Sequence, residues 1–146
     1  MTTLMQQSVL FPAVGRQPTL LPLFSHKVAA GFPSPADDYI QGRLSLDEHL
    51  IPNKNSTFFV RAKGNSMVGA GIFDGDLLIV DKSLTPSSGD IVVAMVDGDL
   101  TVKRLFQQNG TVILKPENLK FKDIEFKDGQ ELQVWGVVTS TVKKFI

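Results

Sequence analysis

The sequence predicts a mainly β protein: a compact, curved β fold over residues 57–146, with an extended N-terminal arm and at most one or two short helical turns. Three observations predict it. Six apolar runs of strand length follow Thr57, namely TFFVRA (57–62), DLLIVD (76–81), DIVVAMV (90–96), LTVKRLF (100–106), TVILK (111–115) and ELQVWGVVTSTV (131–142). Each is bounded by Gly, Asn, Asp, Ser or Pro, which punctuate strands. Asp97-Gly98 joins two of them with hairpin chemistry.

Before Thr57 the pattern differs. Residues 1–30 carry prolines at 12, 18 and 22, no acidic residue, and neither a helical nor a strand period. They read as an arm, extended or loosely attached. GFPSPADDY (31–39) follows. Pro33 and Pro35 bias the preceding residues to extended backbone and cannot donate to a sheet, so this segment reads as loop or sheet edge. Ser45-Leu46-Asp47-Glu48 has the form of a capping box ahead of Leu50 and Ile51, and Pro52 would end the short helix it starts. Three segments result: arm 1–30, lead-in 31–56 with its helical turn, and β-rich domain 57–146.

Composition narrows the function. The 146 residues are 42% apolar and 21% charged, enough for one soluble domain with a real core. Fifteen basic residues balance fifteen acidic ones, so sequence-specific nucleic-acid binding is not expected. There is no cysteine, which excludes disulfides, thiolate catalysis and thiolate metal sites. No apolar run approaches the ~18 residues of a membrane span. Val28-Ala29-Ala30 has the form of a leader cleavage site, but prolines break the apolar stretch that should precede it. A cytoplasmic protein without membrane contact is the expectation.

The sequence holds one strong chemical question, in GNSM (64–67) between two apolar runs. A serine hydroxyl is a weak nucleophile and needs a base within hydrogen-bond reach. His26 lies in the arm and His49 on the short helix, so neither is a rigidly held triad partner. Lysine is the other base known for serine. Lys103 sits in LTVKRLF, sharing a strand face with Thr101 and Leu105, while Arg104 shares the opposite face with Leu100, Val102 and Phe106. Alternation alone leaves open which face is buried. Arginine cannot act as a base at ordinary pH, whereas lysine can. Fewer than about one in a thousand ordinary lysines is neutral at pH 7, so a useful base needs its pKa lowered by roughly 2 to 4 through desolvation. Backbone N–H groups of Asn65 and Ser66 could then receive an oxyanion. Gly-Asn-Ser is also common turn chemistry, and a strand lysine is commonly solvated. Residue types and spacing leave both readings open.

Other chemistries are poorly served. Two separate histidines without cysteine make no zinc pattern, and no metal or cofactor is expected. Gly69, Gly71 and Gly75 are not followed by the G-K-[ST] of a phosphate loop. Asp74, Asp76 and Asp81 flank a strand and read as turn-formers rather than an acid–base pair.

The stretch GNSMVGAGIFDGDLLIVDKSLTPSSGDIVVAMVDGDLTVKRL (64–105) resembles the LexA and UmuD family of self-cleaving serine peptidases, and LPLFS (21–25), AGFPSPADDY (30–39) and VWGVV (134–138) resemble its UmuD branch. The resemblance implies the LexA/UmuD peptidase-domain fold, Ser66 as nucleophile, Lys103 as general base and Ala30–Gly31 as the bond cut. It implies a homodimer, activation by a RecA filament on single-stranded DNA, and a shortened product that joins a UmuC-like subunit as an error-prone, lesion-bypassing DNA polymerase. The physics is compatible: Ala-Gly is slim enough to lie along a sheet, and a tethered arm is a substrate at high effective concentration. About 30 proline-broken residues before the cut leave no room for a helix-turn-helix domain, so a repressor role is not expected. The rival class of function is a non-catalytic binding module of the same fold that regulates a polymerase without cutting itself.

Overall fold

The computed structural model describes residues 17–25, 27–31, 40–126 and 131–146. Most of the arm, His26 and most of the GFPSPADDY segment therefore lie outside the described residues. The chain forms two units, one up to His49 and one from Leu50 onward.

In the first unit β1 (Leu21–Phe24) pairs antiparallel with β2 (Ile40–Leu44), Leu21 opposite Leu44 and Leu23 opposite Gly42. Neither strand was expected, because β1 contains Pro22 and β2 contains Gly42, both poor strand residues. A two-stranded ribbon with open edges tolerates them. The short helix α1 (Leu46–Leu50) forms where the capping box places it. Ser45 Oγ accepts from the Glu48 amide at 3.4 Å, and the Ser45 carbonyl accepts from the His49 amide at 2.9 Å.

The second unit is one antiparallel sheet of seven strands: β3 (Thr57–Arg61), β4 (Leu77–Asp81), β5 (Ile91–Val96), β6 (Asp99–Gln108), β7 (Thr111–Lys115), β8 (Ile124–Phe126) and β9 (Gln133–Val142). Their order in space is β3-β4-β9-β5-β6-β7-β8. All six expected strands are present, and the three-residue β8 is the addition. Asp97 and Gly98 both have positive φ, 49° and 84°, as a two-residue hairpin between β5 and β6 requires. Asn109 and Gly110 repeat this device between β6 and β7, with φ of 50° and 77°.

The sheet is packed on both faces. Neighbouring residues of one strand point to opposite faces. Val93 joins a core cluster with Ala62, Met67, Ile72, Leu78 and Val80, whereas Val92 joins another with Ala94, Leu105, Leu114 and Val137. The first cluster matters for function, because Met67 and Ile72 belong to the connection between β3 and β4. That connection is thus pulled onto the sheet rather than left in solvent.

β9 is inserted between β4 and β5 and carries a bulge against each. At Gly136 a Cβ would stand 2.7 Å from Val80 Cγ1 and 3.1 Å from the Asp81 carbonyl oxygen. Gly136→Ala is therefore expected to lose about 1–3 kcal/mol by overpacking, read as a lower urea midpoint with an unchanged slope.

Candidate active site

Ser66 sits in the connection from β3 to β4, and several independent ties hold that connection in shape. The Ala62 amide donates to the Asp76 carbonyl and the Gly75 amide to the Ala62 carbonyl, each at 2.8 Å. Asp74 Oδ1 accepts from the Gly64 amide at 2.7 Å, and Asp76 Oδ2 from the Phe73 amide at 2.8 Å. Lys143, just beyond β9, pairs with the Asp76 carboxylate and lies over the Phe73 ring. That contact and the amide bond hold the Asp76 carboxyl below its usual pKa. Asp81 is buried and accepts from Asn53 Nδ2, Ser56 Oγ, and both the amide and the hydroxyl of Ser83. Those donors hold its carboxyl far below the ordinary range. All three aspartates organise turns, and none faces another as an acid–base pair.

Met67 is 3% exposed, so the residue after Ser66 is a plug in the core. A single 3-10 turn, Val68–Ala70, follows. Gly71 ends it with φ 84°, a left-handed position that favours glycine.

Lys103 comes from the middle of β6. Both faces of that strand are packed, Val102 against the first cluster and Leu105 inside the second. The question of which face is buried therefore has no single answer. Lys103 is half-buried, and Nζ donates to Thr101 Oγ1 at 2.6 Å, to the Val102 carbonyl at 3.1 Å and to Ser66 Oγ at 3.3 Å. Among the described residues no carboxylate shares these contacts, and burial pushes the Lys103 pKa below its ordinary value. Ser66 and Lys103, 37 residues apart in sequence, line one cavity of about 210 Å³ with Val60, Ala62, Ile72 and Leu100. Arg61, Lys63 and Thr101 line it too, so its walls are mixed, and it is the partial burial of Lys103 that shifts the amine toward its neutral form.

Arg104 takes a different part. Nε pairs with Glu117 Oε1, and Nη1 donates to the Gly89 carbonyl at 2.6 Å. Glu117 in turn grips the serine connection through its backbone. Its amide donates to the Ser66 carbonyl, and its carbonyl accepts from the Gly69 amide, both at 2.8 Å. Asn118 Nδ2 donates to the Asn65 carbonyl at 2.9 Å. Sequence reasoning missed Glu117 and Asn118, which follow β7 in an unremarkable Pro-Glu-Asn turn. Nothing local ties them to residues some fifty positions earlier.

The remaining expected site residues are simply placed. Ala30 and Gly31 are exposed in the first unit, and His49 is exposed on α1. His26 lies outside the described residues. Among the described residues no group of His, Asp and Glu could hold a metal ion, and no helix is long and apolar enough to cross a membrane.

A hydroxyl beside a desolvated amine, reached by a serine turn and a paired strand, is the equipment of a serine peptidase that uses lysine as its base. The sequence is similar to known proteins. The sequence matches the Peptidase S24-like family over residues 22–139. It is 46% identical to Protein SamA of Salmonella typhimurium over 123 residues, 84% of this chain and 85% of that protein. It is 39% identical to Protein MucA of Escherichia coli over 123 residues, 84% of each chain. LexA repressor 1 of Geobacter sulfurreducens is 41% identical over 118 residues, which are 80% of this chain and 58% of the repressor. With the match running from β1 into β9 and taking in both Ser66 and Lys103, the chain belongs to the S24 peptidase-like family, as a UmuD-like member of its LexA/UmuD group.

Proposed function

We propose that the protein is a self-cleaving serine endopeptidase in which Ser66 and Lys103 cut the Ala30–Gly31 bond. One observation carries the reading: the Lys103 amine lies 3.3 Å from the Ser66 hydroxyl, in surroundings that favour its neutral form. In the neutral state two N–H bonds suffice for Thr101 Oγ1 and the Val102 carbonyl. The lone pair is then free to accept the Ser66 proton.

The reaction follows from those positions. Ser66 Oγ bonds to the Ala30 carbonyl carbon as its proton passes to Lys103 Nζ. The oxyanion forms against the backbone N–H groups of Asn65 and Ser66. The bond from Ala30 carbon to Gly31 nitrogen breaks, and Lys103 returns the proton to the leaving amine. Water, deprotonated by Lys103, then hydrolyses the Ser66 ester and frees the Ala30 carboxylate. The arm 1–30 is released from the lead-in 31–56 and the domain 57–146.

The wider role rests on the resemblance to UmuD and LexA proteins. A cytoplasmic homodimer would serve the bacterial response to DNA damage, the SOS response. A RecA filament on single-stranded DNA would stimulate the cut. The shortened dimer would be the accessory subunit of a UmuC-like translesion polymerase, without binding a specific DNA sequence itself.

The test is the mass of purified protein incubated from pH 7 to pH 11, with and without the filament. Wild type should yield a fragment beginning at Gly31, faster as pH rises, and Ser66→Ala should stay whole. Ala30→Trp should slow the cut severely, because a bulky ring would replace the slim side chain that lets the Ala-Gly backbone lie along a sheet. A wild type that stays whole under every condition would overturn the reading.

A further inference from the structure

An oxyanion site needs N–H groups held in one direction before the charge forms, since the stabilisation comes from donors that need not reorganise. The donors here belong to a connecting segment, and a peptide plane in such a segment can turn over with little change to the chain on either side. Something must prevent that. In a trans peptide the C=O and the N–H point in opposite directions, so holding one aims the other. No described peptide bond is cis.

The peptide between Asn65 and Ser66 has its carbonyl held by a side chain. Asn118 Nδ2 donates to that oxygen at 2.9 Å, across 53 residues of sequence. The next peptide has its Ser66 carbonyl held by the Glu117 amide at 2.8 Å. Glu117 is itself anchored to Arg104, the neighbour of Lys103 on β6. Asn118 is fixed from its other end, for its Oδ1 accepts from the Lys120 amide at 3.0 Å. The side chain thus has one acceptor spent on its own turn and one donor spent on the serine segment.

We propose that Asn118 is a positioning residue that sets the Asn65–Ser66 peptide and thereby aims the Ser66 N–H at the developing oxyanion; this rests on the peptidase reading of Ser66. Glu117 fixes the following peptide by backbone alone, so Asn118 is the point at which a side-chain change can release the plane.

The two ends of the Asn118 amide allow a clean experiment. Asn118→Asp keeps an oxygen for the Lys120 amide but has no N–H for the Asn65 carbonyl. Asn118→Ala loses both. If the donor matters, both variants should cleave themselves about tenfold or more slowly at the alkaline plateau, short of the roughly 10²–10³-fold expected for deleting an oxyanion donor outright. The pH midpoint of Asn118→Ala should match wild type, because the lysine is untouched. Crystal structures of both variants should show the Asn65 carbonyl turned from its wild-type direction. Wild-type plateau rates in Asn118→Asp would overturn the proposal, as would an unturned Asn65–Ser66 peptide in both variants. The crystal structures decide this even if wild type proves not to cut itself, an outcome that would remove the peptidase reading separately.

Discussion

Lys103→Arg is expected to lower self-cleavage by roughly 10²–10⁴-fold at every pH, the usual worth of a general base. Arginine keeps the positive charge and much of the length of lysine, so a purely structural ion would be partly replaced. It cannot accept a proton at any working pH. Wild type should show a rate that climbs with pH and levels off above the Lys103 pKa, which burial holds below its ordinary value of 10.5. The Arg104 neighbour gives the control. Its contacts are to Glu117 and Gly89, so Arg104→Lys should retain the pH midpoint while losing rate. A rate in Lys103→Arg within a few-fold of wild type would remove the lysine from the mechanism.

The same lysine has a stability signature whose sign is fixed by linkage. Its folded pKa lies below its unfolded one, so between the two values the unfolded chain binds more protons and stability rises with pH. Below that window the fold carries the cost of a half-buried ammonium. Lys103→Met should therefore melt higher than wild type at neutral pH, with the difference shrinking as pH rises through that window and levelling off above 10.5. Partial exposure keeps the effect modest, because water screens a half-buried charge. A variant that is less stable at neutral pH would mean that the contacts to Thr101 and Val102 outweigh desolvation.

The second large effect is expected at Gly69. A Cβ there would stand 2.6 Å from the Glu117 carbonyl oxygen, the acceptor for the Gly69 amide itself. The obstacle is backbone, with no flexible side-chain end to swing aside. Gly69→Ala should cost about 1–3 kcal/mol and lower Tm by several degrees. It should also slow self-cleavage more than the stability loss accounts for, because Glu117 would be pushed off the Ser66 carbonyl. Gly71→Asn is the comparison. Position 71 has positive φ but open space around it, so asparagine, which tolerates that backbone, should cost only a fraction as much. Equal losses at both positions would show that the turn, rather than its docking on Glu117, is what Gly69 protects.

The boundary between the legible and the illegible follows from range. Local chemistry sufficed for the strands after Thr57, the Asp97-Gly98 hairpin and the capped turn at Ser45. Alternation, turn residues and caps act over a few positions, and each is written in consecutive letters. The pairing of Ser66 with Lys103 was narrowed by chemistry, since the chain offers no cysteine and no well-held histidine. Its distance was not, because a separation of 37 positions places β4 and β5 between them. The burial of Lys103 was also out of reach. A strand pattern reports which residues share a face, not whether both faces are covered, and here Val102 and Leu105 pack in opposite clusters. The ribbon of β1 and β2 escaped notice because proline and glycine lower strand propensity, which pairing across the ribbon overrides. Glu117 and Asn118 escaped because their role is carried by a carbonyl, an amide and one side-chain N–H. Such groups acquire partners only when distant backbone is folded against them.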